Sequence, residues 1–260
     1  MHVAAAELVA WLAQLVWPLC RVGALLMAAP VFGSAQVPAR VRAGLTVAIS
    51  VLLLPLIPTP RAVDLLAPAA VVAVAREIMI GLAMGLILRV VYAALEVAGT
   101  TIANQIGLGF AAINDPSHGN QIPVLSHFYL ILGTLLFLAI DAHLVLLRLL
   151  AQSFALLPPG QLGMSAASFM QLVNWGAEMF SGGLLIGLPA IAALMVVNLA
   201  FGIMSRAAPQ LNAFAVGFPV GLLLGLAVLI FGLPALQPEF FSLIERALGQ
   251  ISELLLARAP

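Results

Sequence analysis

Few residues in this chain have the type and spacing to do chemistry. Asp115, His118 and His127 fall in the stretch NQIGLGFAAINDPSHGNQIPVLSHF, residues 104–128. Carboxylate and imidazole are metal-ligand types, but this spacing across a Pro/Gly loop matches no ligand template, so no metal is expected. Asp141 and His143 stand two apart and so do not share a helix face. A proton relay needs a connected chain of such groups, and polar packing between subunits is the alternative. GLGF, residues 107–110, has neither a preceding strand nor the third glycine of a dinucleotide fingerprint. No Ser/His/Asp, Cys/His or Walker-type arrangement occurs, so there is no case for an enzyme and no cofactor is expected.

The remaining polar residues follow helical spacing. A step of four gives Glu77, Gly81, Gly85 and Arg89, and a slight rotation continues through Tyr92, Glu96 and Gly99. Gly81 and Gly85 form a GxxxG step, which lets another helix backbone approach closely. Arg89 and Glu96 lie two turns apart on this face, and charges at membrane depth are costly unless paired or facing a wet cavity. Two readings stand: the face lines a polar interior or assembly contact, or an intramolecular ion pair fixes packing. Gly217, Gly221 and Gly225 repeat the step in GFPVGLLLG, and Gly183 and Gly187 do so earlier. These stripes mean close helix packing, with a partner in this chain or another.

The elements that carry these residues are apolar. Of 260 residues, 63% are hydrophobic and 8% charged, and all ten basic residues are arginines. A soluble domain carries roughly 25% charged residues. Mean hydropathy is +1.18. The formal net charge of zero argues against a nucleic-acid-binding surface. The single cysteine, Cys20, allows no internal disulfide. The N-terminal stretch lacks the basic region of a signal peptide and reads as a retained first helix.

Six apolar stretches run at 8–32, 43–58, 67–105, 124–156, 173–204 and 213–235. Helices are expected throughout, because a lone strand cannot satisfy its backbone in an apolar medium. The second stretch is short for a span of about 20 residues, and the third is too long, so it must protrude, bend or pack on partners. Pro18, Pro30, Pro55, Pro189 and Pro219 punctuate the stretches. The segment PEFFSLIERALGQISELLLARAP reads as an amphipathic C-terminal helix. The fold class is therefore all-α: a membrane-associated protein of long, bent helices. The least apolar connection, 157–170, divides a part at 1–160 from a part at 161–260.

Arginine sets the orientation. Arg40 and Arg42 lie in one connection and Arg206 in another, and both are placed on the cytoplasmic side by the positive-inside rule. The N-terminus then faces away from the cytoplasm. Residues 104–128 join two apolar helices without being helical in pattern. Non-helical backbone at membrane depth survives only inside protein or along a cavity, so this loop is a constriction or re-entrant plug, or else an ordinary extramembrane turn.

Several segments together resemble the FliR/SctT family of type III secretion export-gate proteins. They are RVGALLMAAPVFGSAQVPARVRAGL (21–45), REIMIGLAMGLILR (76–89), EVAGTTIANQIGLGFAAINDPSHGNQIPVLSHFYL (96–130), LPAIAALMVVNLAFGIMSRAAPQLNAF (188–214) and VGFPVGLLLGL (216–226). The resemblance covers nearly the whole chain. It implies assembly with FliP and FliQ subunits into a pore in the bacterial inner membrane, at the flagellar basal body, next to FlhB and FlhA. Unfolded flagellar proteins would pass through it. It also implies that 1–160 looks like a FliP protomer and that 161–260 looks like a FliQ hairpin followed by the amphipathic helix.

The resemblance also implies that a loop matching residues 106–122 forms part of the plug of the closed gate. Here Gly107 and Gly109 would allow tight turns, Asp115-Pro116 would fix another, and Phe110 and Ile113 would supply apolar bulk. Arg206, Pro209 and Gln210 would form a cytoplasmic contact for another gate component. A different class, a secondary transporter of a small solute, would also carry broken helices and buried charges. It should show two related halves, and none is visible in the sequence.

Overall fold

The structure, a computed structural model, describes residues 5–57, 68–108, 124–159, 164–207 and 213–257, with side chains from Gln14 onward and, in the last stretch, from Pro219. Eight α-helices fill these ranges: α1 (Ala5–Ala28), α2 (Ala39–Leu53), α3 (Pro68–Ile106), α4 (Val124–Ala139), α5 (Ala142–Leu156), α6 (Ala166–Trp175), α7 (Glu178–Ala207) and α8 (Ala213–Leu256). No strand occurs among the described residues. The all-α expectation holds.

Local chemistry sets the boundaries. Pro38, with φ −56°, immediately precedes α2, where a missing N–H is harmless. Pro55 lies in the 3₁₀ turn Leu54–Leu56 that ends it. Ser165 caps α6 by accepting the Ser168 N–H at 3.1 Å. Gly107, at φ 92°, closes α3, and the Leu108 N–H returns to the Ala103 carbonyl at 3.0 Å.

Between α4 and α5 the residue that breaks the helix is Asp141, left-handed at φ 55° and exposed. Prolines elsewhere do not stop helices: Pro18 lies inside α1, Pro189 inside α7, and Pro219, Pro234 and Pro238 inside α8. The amphipathic segment read at the C-terminus is the continuation of α8, which runs unbroken for 44 residues. Each proline removes only one backbone bond, and the apolar faces on either side are long enough to carry the helix through.

Four helical segments are long and apolar enough to cross a membrane: 39–56, 68–106, 166–207 and 219–256. The α4–α5 pair makes a fifth if it is one broken span. At 1.5 Å per residue the 39 residues of α3 reach about 60 Å, twice a hydrocarbon core of roughly 30 Å. In α3, 61% of its most apolar window is buried by the protein itself, against 11% for α2 and 11% for 219–256. So α3 is a core element, whereas α2 and the most apolar window of α8 turn most of their surface outward.

Packing groups the chain into two units. One comprises Met1–Val90, Asp141–Gly176 and Glu245–Pro260; the other comprises Val91–Ile140 and Ala177–Ile244. The first buries Val22, Leu25 and Leu26 of α1, Ile80, Met84 and Leu88 of α3, Leu150 and Phe154 of α5, and Ile251 of α8. The second buries Leu95 and Ile102 of α3, Phe137 of α4, Leu194 of α7 and Phe240 of α8. There Tyr92 meets Phe137 and Phe240 edge-on at centroid distances of 6.3 and 6.4 Å.

Candidate functional site

An arginine inside an apolar helix is tolerated only if its donors are met. Arg21 of α1 is fully buried. Its Nε–H donates to Glu77 Oε2 of α3 at 2.7 Å. Nη1 donates to Ser153 Oγ of α5 at 2.9 Å, and Nη2 to the Leu157 carbonyl just beyond α5 at 2.8 Å. Ser153 Oγ in turn donates to the Leu150 carbonyl at 2.6 Å. The guanidinium carbon stands 4.2 Å from the centroid of the Phe154 ring. One side chain therefore ties three helices together through a charge pair, two further hydrogen bonds and a cation–π contact.

The GxxxG step of α3 makes this possible. A Cβ on Gly81 would overlap the Arg21 carbonyl oxygen and lie 2.9 Å from the Ala24 Cβ. On Gly85 it would lie 2.5 Å from the Ala28 Cβ. The two glycines thus admit the α1 backbone and bring Arg21 within reach of Glu77. Nearby, Trp175 of α6 donates its Nε1–H to the Ile87 carbonyl at 3.0 Å.

The second unit repeats the device without charge. A Cβ on Gly99 would stand 2.5 Å from the Ser126 Cα. Thr100 Oγ1 and Ser126 Oγ share a hydrogen bond of 2.9 Å, and Ser126 Oγ donates to the Glu96 carbonyl at 3.2 Å. A Cβ on Gly183 would lie 2.8 Å from the Ala94 carbonyl oxygen, and one on Gly225 would lie 2.6 Å from Ile106 Cγ1.

The residues singled out in the sequence are placed as follows. Gly81 and Gly85 face α1, and Gly225 faces Ile106, whereas Gly221 has open space around a Cβ. The side-chain surroundings of Gly217 lie outside the described residues. Arg89 is exposed and Glu96 half-buried. Seven residues apart on one helix, they are separated by roughly 10 Å of rise. The carboxylate of this face that takes part in a buried ion pair is Glu77, which receives Arg21 of α1 at 2.7 Å. Gly107 has the left-handed φ that favours glycine. Gly109, Phe110, Ile113, Asp115 and Pro116 lie outside the described residues, as do Pro209 and Gln210. Arg206 is exposed near the end of α7.

Sequence reasoning placed Glu77 on the correct face but did not pair it with Arg21, and it missed Ser153, Phe154 and Trp175. Arg21 is a charge within the first apolar stretch, and the cost of burying it alone was the available signal.

Outside these seams the surface is strongly apolar. On α7, Phe180, Leu184, Met195, Val196 and Leu199 are exposed, and on α8 so are Leu223 and Phe231. Such faces need lipid or other chains against them. The arrangement locks helices together and presents apolar surface; it brings no nucleophile to a base among the described residues.

The sequence matches the family described as bacterial export proteins, family 1, over residues 12–247. It is 38% identical over 253 residues to the flagellar biosynthetic protein FliR of Pectobacterium carotovorum subsp. carotovorum, covering 95% of this chain and 97% of that protein. To the protein of the same name from Escherichia coli (strain K12) it is 36% identical over 258 residues, 98% of each chain. To that of Bacillus subtilis (strain 168) it is 31% identical over 214 residues, covering 81% and 82%.

Proposed function

The chain belongs to the bacterial export protein family whose relatives are flagellar biosynthetic proteins, and from that membership we propose that it forms, with FliP and FliQ homologues, the pore of the flagellar type III protein export gate. It is an apolar, membrane-embedded member of the flagellar export apparatus. The observation that carries the proposal is the match to the flagellar relatives over nearly the whole of both chains. The helices support it physically: α3 and α8 are longer than a bilayer requires, and α2, α7 and α8 leave apolar faces uncovered.

In this proposal the assembly sits in the inner membrane at the flagellar basal body, beside FlhB and FlhA homologues, and unfolded flagellar subunits pass through it. Residues 1–160 take the place of a FliP-like part and 161–260 of a FliQ-like part. Residues 106–122, including Gly107, Gly109, Phe110, Ile113, Asp115 and Pro116, act as a seal, since an apolar constriction blocks ions by dewetting. Arg206, Pro209 and Gln210 contact another gate component on the cytoplasmic side. The chain carries out transport rather than catalysis, and energy coupling resides in its partners.

Deleting the gene and assaying culture medium for rod, hook and filament subunits tests the proposal. Loss of all three, restored by the intact gene, is the expected result. Subunits still secreted in the deletion strain would overturn it.

A further inference from the structure

Helix α7 is held unevenly along its length. Its buried residues, Gly182, Gly183, Ile186, Gly187, Ala190 and Leu194, all lie in the first part, and from Met195 to Ala207 none is buried. Gly202 has open space where a Cβ would stand. Among the described residues, the side-chain hydrogen bonds leaving this arm are those of Asn198. Its Nδ2 donates to the Gln105 carbonyl at 3.2 Å and to Gln105 Oε1 at 3.1 Å. Asn198 is exposed.

The acceptor side is built differently. Gln105 lies in the last turn of α3, whose carbonyls lack helical donors. The Gly107 turn serves two of them, through Gly107 N–H to the Asn104 carbonyl at 3.2 Å and Leu108 N–H to the Ala103 carbonyl at 3.0 Å. The Gln105 carbonyl is left for Asn198. The next residue, Ile106, is buried beneath Gly225 of α8, at a spot where a Cβ would collide with it. The end of α3 is therefore anchored by burial, and the arm of α7 by an exposed amide.

We propose that the Asn198–Gln105 contact is a releasable tie: the arm of α7 beyond Leu194 parts from the end of α3 while that end stays seated on α8. The two interhelical hydrogen bonds that Asn198 donates to Gln105 are each weak in water and in lipid, so releasing them is easy, whereas unseating Ile106 exposes apolar surface. Resting on the gate proposal above, the tie links the arm that carries Arg206 to the root of the segment proposed as the seal.

Spin labels at Leu135→Cys of α4 and Ile203→Cys of α7, both exposed positions of the same unit, report the arm in the purified assembled complex with Cys20→Ala. With the tie intact one short separation dominates. Asn198→Ala should raise the population of longer separations about threefold to tenfold, which at 1.4 kcal/mol per tenfold is about 0.7 to 1.4 kcal/mol. Gln105→Ala should raise it less, because its backbone carbonyl remains, and should add nothing to Asn198→Ala.

An unchanged distribution in Asn198→Ala overturns the tie, as does additivity of the two substitutions. Failure of Asn198→Ala to assemble also overturns it, since the contact is then permanent scaffold. Ion leak measured in the same cells separates the two ideas: longer separations without added leak support the tie and count against the seal.

Discussion

Gly81 of α3 lies against the backbone carbonyl of Arg21, one turn along from the Glu77 carboxylate that receives the Arg21 Nε–H. A missing side chain and a buried charge pair are thus one device. The glycine lets α1 come close, and the closeness allows the arginine to be satisfied without water.

Breaking the pair should be far worse than removing it. Glu77→Ala leaves an uncompensated buried guanidinium and should cost about 3–5 kcal/mol. Arg21→Met with Glu77→Leu replaces both by apolar side chains and should recover most of that loss. Thermal melting of the purified complex checks this, and equal losses in the single and double variants would contradict it.

The glycines should differ sharply among themselves. Gly81→Val meets backbone and should abolish stable accumulation of the protein in membranes. Gly221→Ala enters open space and should change stability by about 0.5 kcal/mol or less. Immunoblots of membrane fractions after a heat step compare the two; a Gly221→Ala defect as large as that of Gly81→Val would show that the open face is filled by a partner.

Asp141 should accept glycine but not a branched side chain. Its φ of 55° costs an ordinary L-residue about 1–2 kcal/mol, and a β-branched one more. Asp141→Gly should therefore accumulate at least as well as the parent, and Asp141→Val should fall below it in the same membrane assay. The reverse order would mean that the carboxylate, not the backbone, matters there.

What the sequence revealed and what it hid divide by distance along the chain. The excess length of α3 and the GxxxG spacing of Gly81 and Gly85 were legible because they are patterns within one helix. The lock was not, because Arg21 and Glu77 are 56 positions apart and only the folded packing of α1 on α3 joins them. Arg89 and Glu96 share a face two turns apart, a pattern that by itself does not say which group meets each charge. The continuity of α8 was hidden because the apolar stretch ending at 235 and the amphipathic segment starting at Pro238 read as separate elements. Asp141 gave no warning of a left-handed break, since aspartate is only one of several residues that adopt it.

The side of the α7–α8 connection is open to direct labelling. Ser205→Cys, beside Arg206, should react with a membrane-impermeant thiol reagent in inverted vesicles and not in intact spheroplasts, when Cys20 is replaced by alanine. Labelling from the periplasmic side alone would contradict the cytoplasmic placement.

Co-purification tests the central claim most directly. A tagged copy expressed at its native level and extracted in mild detergent should carry FliP and FliQ homologues in fixed ratio. The chain alone should not run as a monodisperse, cooperatively melting monomer, because the apolar faces of α2, α7 and α8 need covering. A stable monomer that retains none of these partners, and that takes up a small solute in liposomes, would contradict the account.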